Sequence, residues 1–114
     1  DGIRDTSVTG VQSCALPIFG YYVREHDVIP AHTAIHKMYM LPANRIGLAD
    51  RGRIAEEARA DIAVLDLDAV IDKAVFGDPH QYAEGAHHVF VNGEAVLLHA
   101  EMTGARPGRV LRKQ

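Results

Sequence analysis

The chain has 114 residues, of which 47% are hydrophobic and 24% charged, and its 12 Lys and Arg against 15 Asp and Glu give a net charge of −3. This length allows at most one ordinary domain, and the acidic balance argues against a basic nucleic-acid binder. No apolar run approaches the roughly 18 residues of a membrane span, and the single cysteine, Cys14, excludes a disulfide framework or a Cys-based zinc cage. We expect a soluble, cytoplasmic protein of mixed secondary structure.

Residues 1–18 read DGIRDTSVTGVQSCALPI. This segment resembles the translation of a common short-read sequencing adapter, which encodes DGIRD and VTGVQTCALPI around a sample index. The index corresponds here to Thr6-Ser7, and the one departure is Ser13 for threonine. Segments of foreign origin are excluded from fold reasoning. We therefore expect residues 1–18 to be an artefact rather than a domain, and the genuine chain to start at Phe19.

The segment after residue 18 predicts a pair of helices. Apolar residues recur at helical spacing over Phe19–Glu25. A second helix is predicted to follow Pro30 and to end before Pro42, and a short helical turn over 43–46 is predicted to close at Gly47. The apolar face of the second helix consists of Ala31, Ala34, Ile35, Met38 and Leu41.

Beyond Gly47 the pattern favours strands and turns. Asp50–Arg53 predicts a turn, and a short strand is expected to start at Ile54. Ala60–Asp66 is an apolar run bounded by aspartates, which is typical of a strand buried on both faces. The segment Asp72–Tyr82 contains Gly-Asp-Pro and predicts a loop.

A β-hairpin is predicted over His87–Val91 and Glu94–Leu98, because Asn92-Gly93 suits the positive φ angles of a type I′ turn. Pairing Val91 with Glu94 leaves apolar residues on both faces of the hairpin. One face carries Val89, Val91, Val96 and Leu98, and the other carries Phe90, Ala95 and Leu97. The three predicted strands cannot cover both faces, which indicates missing chain. The turn-rich tail Gly104–Arg109 is expected to be partly ordered against the hairpin.

Six short motifs resemble those of one enzyme superfamily. The succession PA-x-x-x-GL (42–48), RG-x-I (51–54) and AD-x-x-V-x-D (60–66) resembles the C-terminal region of the amidohydrolase superfamily. DPH-x-Y (78–82), VNGE (91–94) and TGARPGR (103–109) are more particular to its N-acyl-D-amino-acid deacylases, or D-aminoacylases. The resemblance covers Phe19 to Arg112. Glu57 stands where that family usually has a glycine, so we expect a locally altered turn there.

The resemblance implies a composite architecture. Such enzymes have a catalytic (β/α)8 barrel and a smaller β-sandwich built from both chain ends. Residues 19–48 would then be the last helices of the barrel domain, and residues 49–114 the C-terminal part of the β-sandwich domain. The chain is accordingly expected to be an α+β fragment, whose sheet lacks strands from an absent N-terminal part.

The resemblance also implies a function for the parent enzyme, which is metal-dependent hydrolysis of N-acyl-D-amino acids to a carboxylate and a D-amino acid. Zinc in the parent would activate a water molecule and polarise the scissile carbonyl. A carboxylate would act as general base and then as general acid. In the family these groups precede the position of Phe19, so no catalytic, cofactor-binding or metal-ligating residue is assigned to this chain. The expected partners are the missing N-terminal part and the substrate, with no nucleic acid or membrane.

Two histidine pairs are candidates for a local metal site. His32 and His36 share a helix face at i, i+4 spacing, but they lack a third ligand, so a solvated surface is the better interpretation. His87 and His88 are adjacent in a strand and point to opposite faces, so they cannot chelate together.

Three other patterns suggest sites only faintly. Asp66, Asp68 and Asp72 suggest a calcium loop, yet Ile71 and Gly77 occupy positions where an EF-hand needs glycine and glutamate. The segment 104–108 lacks the Gly-Lys-Ser/Thr of a phosphate loop. The basic residues near the end of the chain are expected to be solvated. They are Arg106, Arg109, Arg112 and Lys113.

Two alternative functions remain open on the sequence. The parent could be another amidohydrolase, acting on cyclic amides or N-substituted formamides. The chain could also be a non-catalytic, β-rich interaction module, which would purify as a soluble, cooperatively unfolding monomer. Exposed apolar strands would favour a fragment over such a module.

Overall fold

The computed structural model describes residues 18–111. All of the adapter-like segment except Ile18, together with Arg112 and Lys113, lies outside the described residues. Four helical segments precede a four-stranded antiparallel sheet, so the α+β class is confirmed. The helical segments are α1 (Ile18–Glu25), α2 (Ala31–Ile35), α3 (His36–Met40) and α4 (Leu41–Ile46), and the strands are β1 (Ile62–Leu65), β2 (Ala86–Val91), β3 (Glu94–Leu98) and β4 (Glu101–Met102). No helix within residues 18–111 has the length and apolar character needed to cross a bilayer.

The described residues fall into two compact units. The first contains residues 18–34 and 66–85, and its buried side chains are Phe19, Ala34 and Val70. The Arg24 guanidinium donates hydrogen bonds of 3.0–3.1 Å to three backbone carbonyls of the turn over residues 67–70. This turn is thereby fastened to α1, which has the widened turns of a π-helix. The predicted helix over 19–25 is confirmed.

The second unit contains residues 35–65 and 86–111, and it begins with α3 and α4. As predicted, the helical segment before Pro42 ends ahead of it, at Met40. The helical turn predicted over 43–46 starts earlier than expected, because α4 begins at Leu41 and includes Pro42. Pro42 lies in the first turn of α4, where a proline is tolerated because the first N–H groups of a helix have no intrahelical partner. The predicted end at Gly47 is confirmed, with φ of 81° and a bond from the Leu48 N–H to the Ala43 carbonyl at 2.9 Å.

The segment between α4 and β1 contains turns but no strand. The expected strand at Ile54 is wrong, since this side chain is 90% exposed and outside any strand. The turn over residues 50–53 is confirmed. Glu57 takes φ of 62°, which is the left-handed conformation that a glycine would favour.

The sheet has the order β1-β2-β3-β4. A strand within 60–66 is confirmed as β1, but the expected burial on both faces is wrong. Ile62 and Val64 are 36% and 43% exposed, because β1 is an edge strand that pairs with β2 alone within the described chain. The loop predicted over 72–82 is confirmed, and its one β-type contact is the isolated bridge between Val75 and Asp78.

The predicted hairpin is confirmed in its turn and its closing pair. Val91 pairs with Glu94, and Asn92 and Gly93 both have positive φ, at 51° and 82°. The predicted alternation of faces fails beyond Ala95, because a bulge makes Val89 pair with Leu97. Leu97 therefore shares the side of Val89 and not that of Phe90.

Strand β4 and its turn were not predicted. His99 and Ala100 form a second two-residue connection with positive φ angles of 50° and 65°. Neither residue type signals such a turn, and β4 is only two residues long. The turn places Thr103 beside β3, where its N–H bonds to the Val96 carbonyl at 3.1 Å.

No residue of β1–β4 is fully buried, and each is half-buried or exposed. Ile62 shares one side of the sheet with Phe90, while Met102 shares the other side with Leu97. Both sides thus carry apolar residues that stay partly open to solvent. This agrees with the prediction that the hairpin needs cover on both faces.

Candidate functional site

The polar residues of the second unit meet in one cluster, formed by Arg51, Asp61 and Asn92. The Arg51 guanidinium donates to a carboxylate oxygen of Asp61 and, at 2.9 Å, to Oδ1 of Asn92. The Asn92 backbone N–H donates to the other Asp61 oxygen at 2.8 Å. Each pair of members is therefore joined directly, and we call this arrangement the Arg51 cluster.

Local structure explains how each member reaches the Arg51 cluster. Arg51 is placed by Gly52, whose missing side chain leaves room for the backbone to approach the Tyr39 carbonyl and the Ala43 side chain. Asp61 directly precedes β1. Asn92 sits at the tip of the β2–β3 hairpin, which is pinned there by a 2.9 Å bond from the Gly93 N–H to the Ala60 carbonyl.

The tail joins the same cluster through Asn92. The Asn92 Nδ2 donates to the Pro107 carbonyl at 2.8 Å, which confirms that the tail is ordered against the hairpin. Four of the sequence motifs thus meet at one point, namely RG-x-I, AD-x-x-V-x-D, VNGE and TGARPGR. Sequence reasoning singled out these motifs but not their meeting, because residues 51, 61, 92 and 107 are far apart along the chain.

The chemistry of the Arg51 cluster is that of a structural junction. The Arg51 side chain is 14% exposed and that of Asp61 is 31% exposed, so their ion pair stays partly open to solvent on the carboxylate side. Every polar group of the asparagine side chain is already bonded within the chain. The hydrogen bonds of these groups therefore hold the hairpin tip, the start of β1 and the turn at Arg51 together.

A cavity of about 600 Å³ adjoins the Arg51 cluster. It is lined by residues 47–51, Arg59, Asn92 and residues 109–111. Its charged side chains are three arginines and Asp50, and Asp50 pairs with Arg59 at 3.2 Å. The cavity is thus positively charged on balance.

None of the hydrogen bonds of the Arg51 cluster described above involves a histidine. His32 and His36 are exposed on α2 and α3. The rings of His87 and His88 lie 6.4 Å apart, while His88 lies closer to His99, at 4.8 Å. Nδ1 of His88 accepts the His99 backbone N–H at 3.2 Å, so that nitrogen is used within the turn.

The aspartates of the suggested calcium loop bond to neighbouring backbone. Oδ1 of Asp66 accepts the Asp68 N–H at 2.9 Å, and Oδ1 of Asp72 accepts the Ala74 N–H at 3.0 Å. These are local turn contacts. Arg106 and Arg109 are exposed. Among residues 18–111, no three His, Cys, Asp or Glu side chains are grouped so that they could hold a metal ion.

One titratable group of the described chain is clearly perturbed. Burial raises the pKa of the Tyr39 phenol, because the neighbouring protein disfavours the charged phenolate. Tyr39 precedes α4, and its carbonyl faces Gly52. The effect is that of packing, and it marks no reactive centre.

The chain is similar to a family of hydrolases over most of its length. The model of the amidohydrolase family matches residues 5–97. The match begins inside the adapter-like segment.

Two relatives from Alcaligenes xylosoxydans xylosoxydans are similar in sequence. An N-acyl-D-glutamate deacylase is 46% identical over 96 residues, which are 84% of this chain and 20% of that protein. A D-aminoacylase is 42% identical over 94 residues, or 82% of this chain and 19% of that protein. The chain thus spans about a fifth of the length of these relatives.

Solved structures give the same result. A D-aminoacylase variant in complex with copper chloride aligns with a TM-score of 0.81 at 40% identity, over 85% of this chain and 20% of that one. The N-acyl-D-glutamate deacylase of Bordetella bronchiseptica, complexed with zinc and a phosphonate inhibitor, aligns with a TM-score of 0.75 at 38% identity. That alignment covers 83% of this chain and 20% of the other.

Proposed function

This chain belongs to the amidohydrolase family, and we propose that it is a C-terminal portion of a zinc-dependent enzyme that hydrolyses N-acyl-D-amino acids to a carboxylate and a free D-amino acid. The observation that carries this proposal is the 46% identity to an N-acyl-D-glutamate deacylase over 96 residues. The motifs DPH-x-Y and TGARPGR, which are particular to deacylases, lie within the same region and support this branch of the family.

The residues described here act as scaffold in this proposal. The groups that meet in the second unit are already paired with one another, as the Arg51 cluster shows. The described residues do not fit a zinc site, since no three potential ligands are grouped together in 18–111. No catalytic step is therefore assigned to this part of the enzyme, and the isolated chain is expected to be inactive.

In the architecture proposed for the parent, further strands would cover the partly exposed sheet. Residues 19–48 would supply the last helices of a (β/α)8 barrel domain, and residues 49–114 the C-terminal part of a β-sandwich domain. The missing N-terminal part of the same enzyme would supply the remaining strands. This is supported by the partly exposed apolar residues on both sides of the sheet, among them Ile62 and Met102.

Residues 1–18 do not belong to the enzyme in this proposal. Their likeness to a translated adapter supports an artefact, and the parent gene would then encode a different sequence before Phe19. Amplifying the gene from untreated source DNA across the junction between Ile18 and Phe19 tests this. Recovery of a reading frame that still encodes residues 1–18 would disprove it.

The activity is tested with the full-length parent, recovered by extending the reading frame upstream of Phe19. We expect hydrolysis of N-acyl-D-amino acids, no hydrolysis of their L-enantiomers, and loss of activity after chelation that zinc restores. Turnover of cyclic amides or N-substituted formamides instead would replace the deacylase with another amidohydrolase.

The isolated chain supplies the control. Appreciable zinc-dependent turnover by residues 1–114 alone would contradict the placement of the catalytic groups outside this portion. A soluble monomer that unfolds cooperatively and binds no apolar dye would favour the non-catalytic module.

A further inference from the structure

The tail that follows β4 is held at two points of unequal strength, and we call residues 103–111 the strap. At its start, the Thr103 hydroxyl donates to the Ala95 carbonyl at 2.7 Å and the Thr103 N–H donates to the Val96 carbonyl at 3.1 Å. Four residues later, one bond of 2.8 Å joins the Pro107 carbonyl to Nδ2 of Asn92. The strap is thus anchored firmly at its start and by a single side chain further on.

The end of the strap forms one wall of the cavity of about 600 Å³. Arg109, Val110 and Leu111 line this cavity together with residues 47–51. Residues 108–111 make no hydrogen bond to any other described residue, and Val110 is 87% exposed. Nothing after Pro107 in the described chain therefore fixes this wall by hydrogen bonding.

Asn92 itself is fixed independently of the strap. Its backbone N–H is held by Asp61 and its Oδ1 by Arg51, while the adjacent Gly93 N–H is held by the Ala60 carbonyl. Release of the strap would break only the bond from Nδ2, and the rest of the Arg51 cluster would stay intact. Asn92 is therefore a fixed donor, and the residues after Thr103 can detach from it without disturbing the hairpin turn.

We propose that residues 104–111 open and close over the cavity and that Asn92 is the latch that holds them closed. Opening withdraws Arg109 and the apolar side chains after it from the cavity wall. A single neutral hydrogen bond contributes little net free energy, so both states lie within reach. Thr103 stays bonded to β3 in the two states and acts as the hinge end of the strap.

Two substitutions separate the latch from the turn in which it sits. Asn92→Asp keeps an oxygen for Arg51 but replaces the donor to Pro107 with a second acceptor. Asn92→Gly removes the side chain and keeps the positive φ that the type I′ turn requires. Asn44→Asp makes the same charge change on the exposed surface of α4 and serves as the matched control.

Limited trypsin digestion of the full chain, followed by mass spectrometry, measures how readily the strap is released. Release of Pro107 frees the residues before Arg109 to enter the protease cleft and should accelerate cleavage there. Cleavage after the exposed Lys73 serves as the internal reference. We expect both Asn92 variants to raise the rate after Arg109, relative to Lys73, by roughly two- to tenfold. Asn44→Asp should leave the ratio unchanged.

Amide exchange distinguishes release of the strap from general loosening. The Thr103 amide should keep its protection in the Asn92 variants while cleavage after Arg109 accelerates. Unchanged cleavage ratios in both variants would overturn the proposal. A parallel loss of protection at Thr103, or equal acceleration at Lys73, would also overturn it, because Asn92 would then act as a general structural residue.

Discussion

Gly85 is the position where a single added methyl group should disrupt the first unit most. It has φ of 90°, and a Cβ there would lie 2.4 Å from the Cα and 2.5 Å from the nitrogen of Val70. Both atoms are backbone, and they cannot shift freely because the Val70 N–H and carbonyl are bonded to Asp66 and Arg24 at 2.7 and 3.0 Å. Gly77 offers a matched control, since its φ is 99° and a Cβ there would meet nothing within 4 Å.

Gly85→Ala and Gly77→Ala differ only in the steric overlap of the new Cβ with the Val70 backbone. The left-handed conformation costs an alanine about 1–2 kcal/mol at either position. At Gly85 the new carbon would also be about 1 Å inside the ~3.5 Å separation of an optimal carbon contact, and overpacking of this kind adds about 1–3 kcal/mol. Gly85→Ala should therefore destabilise the turn over residues 66–70 by about 1–3 kcal/mol more than Gly77→Ala, or roughly five- to 150-fold in the opening equilibrium.

Hydrogen exchange at the Val70 amide measures this opening directly, since that N–H donates to the Asp66 carbonyl inside the affected turn. The Gly93 amide, bonded to Ala60 in the other unit, reports whether the loss is local. Equal loss of Val70 protection in Gly85→Ala and Gly77→Ala would refute the close approach of Gly85 to Val70.

Three further changes test other features of the chain. Glu57→Gly should relieve the strain of a φ of 62° and stabilise its turn by about 1 kcal/mol; slower exchange of the Ala58 amide would show this, and faster exchange would contradict it. The raised pKa of Tyr39 means that the folded state holds the phenolic proton more tightly, so stability from this group is present below pH ~10 and is lost as pH rises through the folded value. In a phenolate absorbance titration, Tyr39→Phe should remove the component that ionises at the highest pH, and removal of an earlier component would refute the assignment. Replacing Ile62 and Val64 together by threonine should reduce fluorescence of an apolar dye bound to the exposed side of β1; undiminished fluorescence would place the dye elsewhere.

Local signals predicted the parts of the fold that short-range chemistry decides. Asn92-Gly93 specified the hairpin turn and Gly47 the helix end, because positive φ angles restrict the residue types that fit. The bulge that pairs Val89 with Leu97 was not predictable, since it changes the register without a glycine or proline to mark it. The β3–β4 turn at His99 and Ala100 likewise carries no turn residue.

Features that depend on contacts between distant segments could not be predicted from the sequence. The helical turn after Pro42 was expected to start at Ala43, whereas α4 starts at Leu41 and takes Pro42 into its first turn. Each motif was recognisable in the sequence, but no local pattern predicted that Arg51 and Asp61 contact Asn92. The apolar run of β1 predicted burial on both faces, which would require neighbours that residues 18–111 do not supply.

The central claim is that residues 19–114 are the C-terminal scaffold of a deacylase. It is tested most directly by replacing the matching fifth of the Alcaligenes xylosoxydans xylosoxydans N-acyl-D-glutamate deacylase with these residues and measuring hydrolysis of an N-acyl-D-glutamate. We predict a folded, active chimera, whereas the same enzyme truncated before that segment is inactive. A second chimera, which carries the corresponding segment of the 42% identical D-aminoacylase, serves as the control. If this control is active and the chimera with residues 19–114 is inactive, the claim is contradicted.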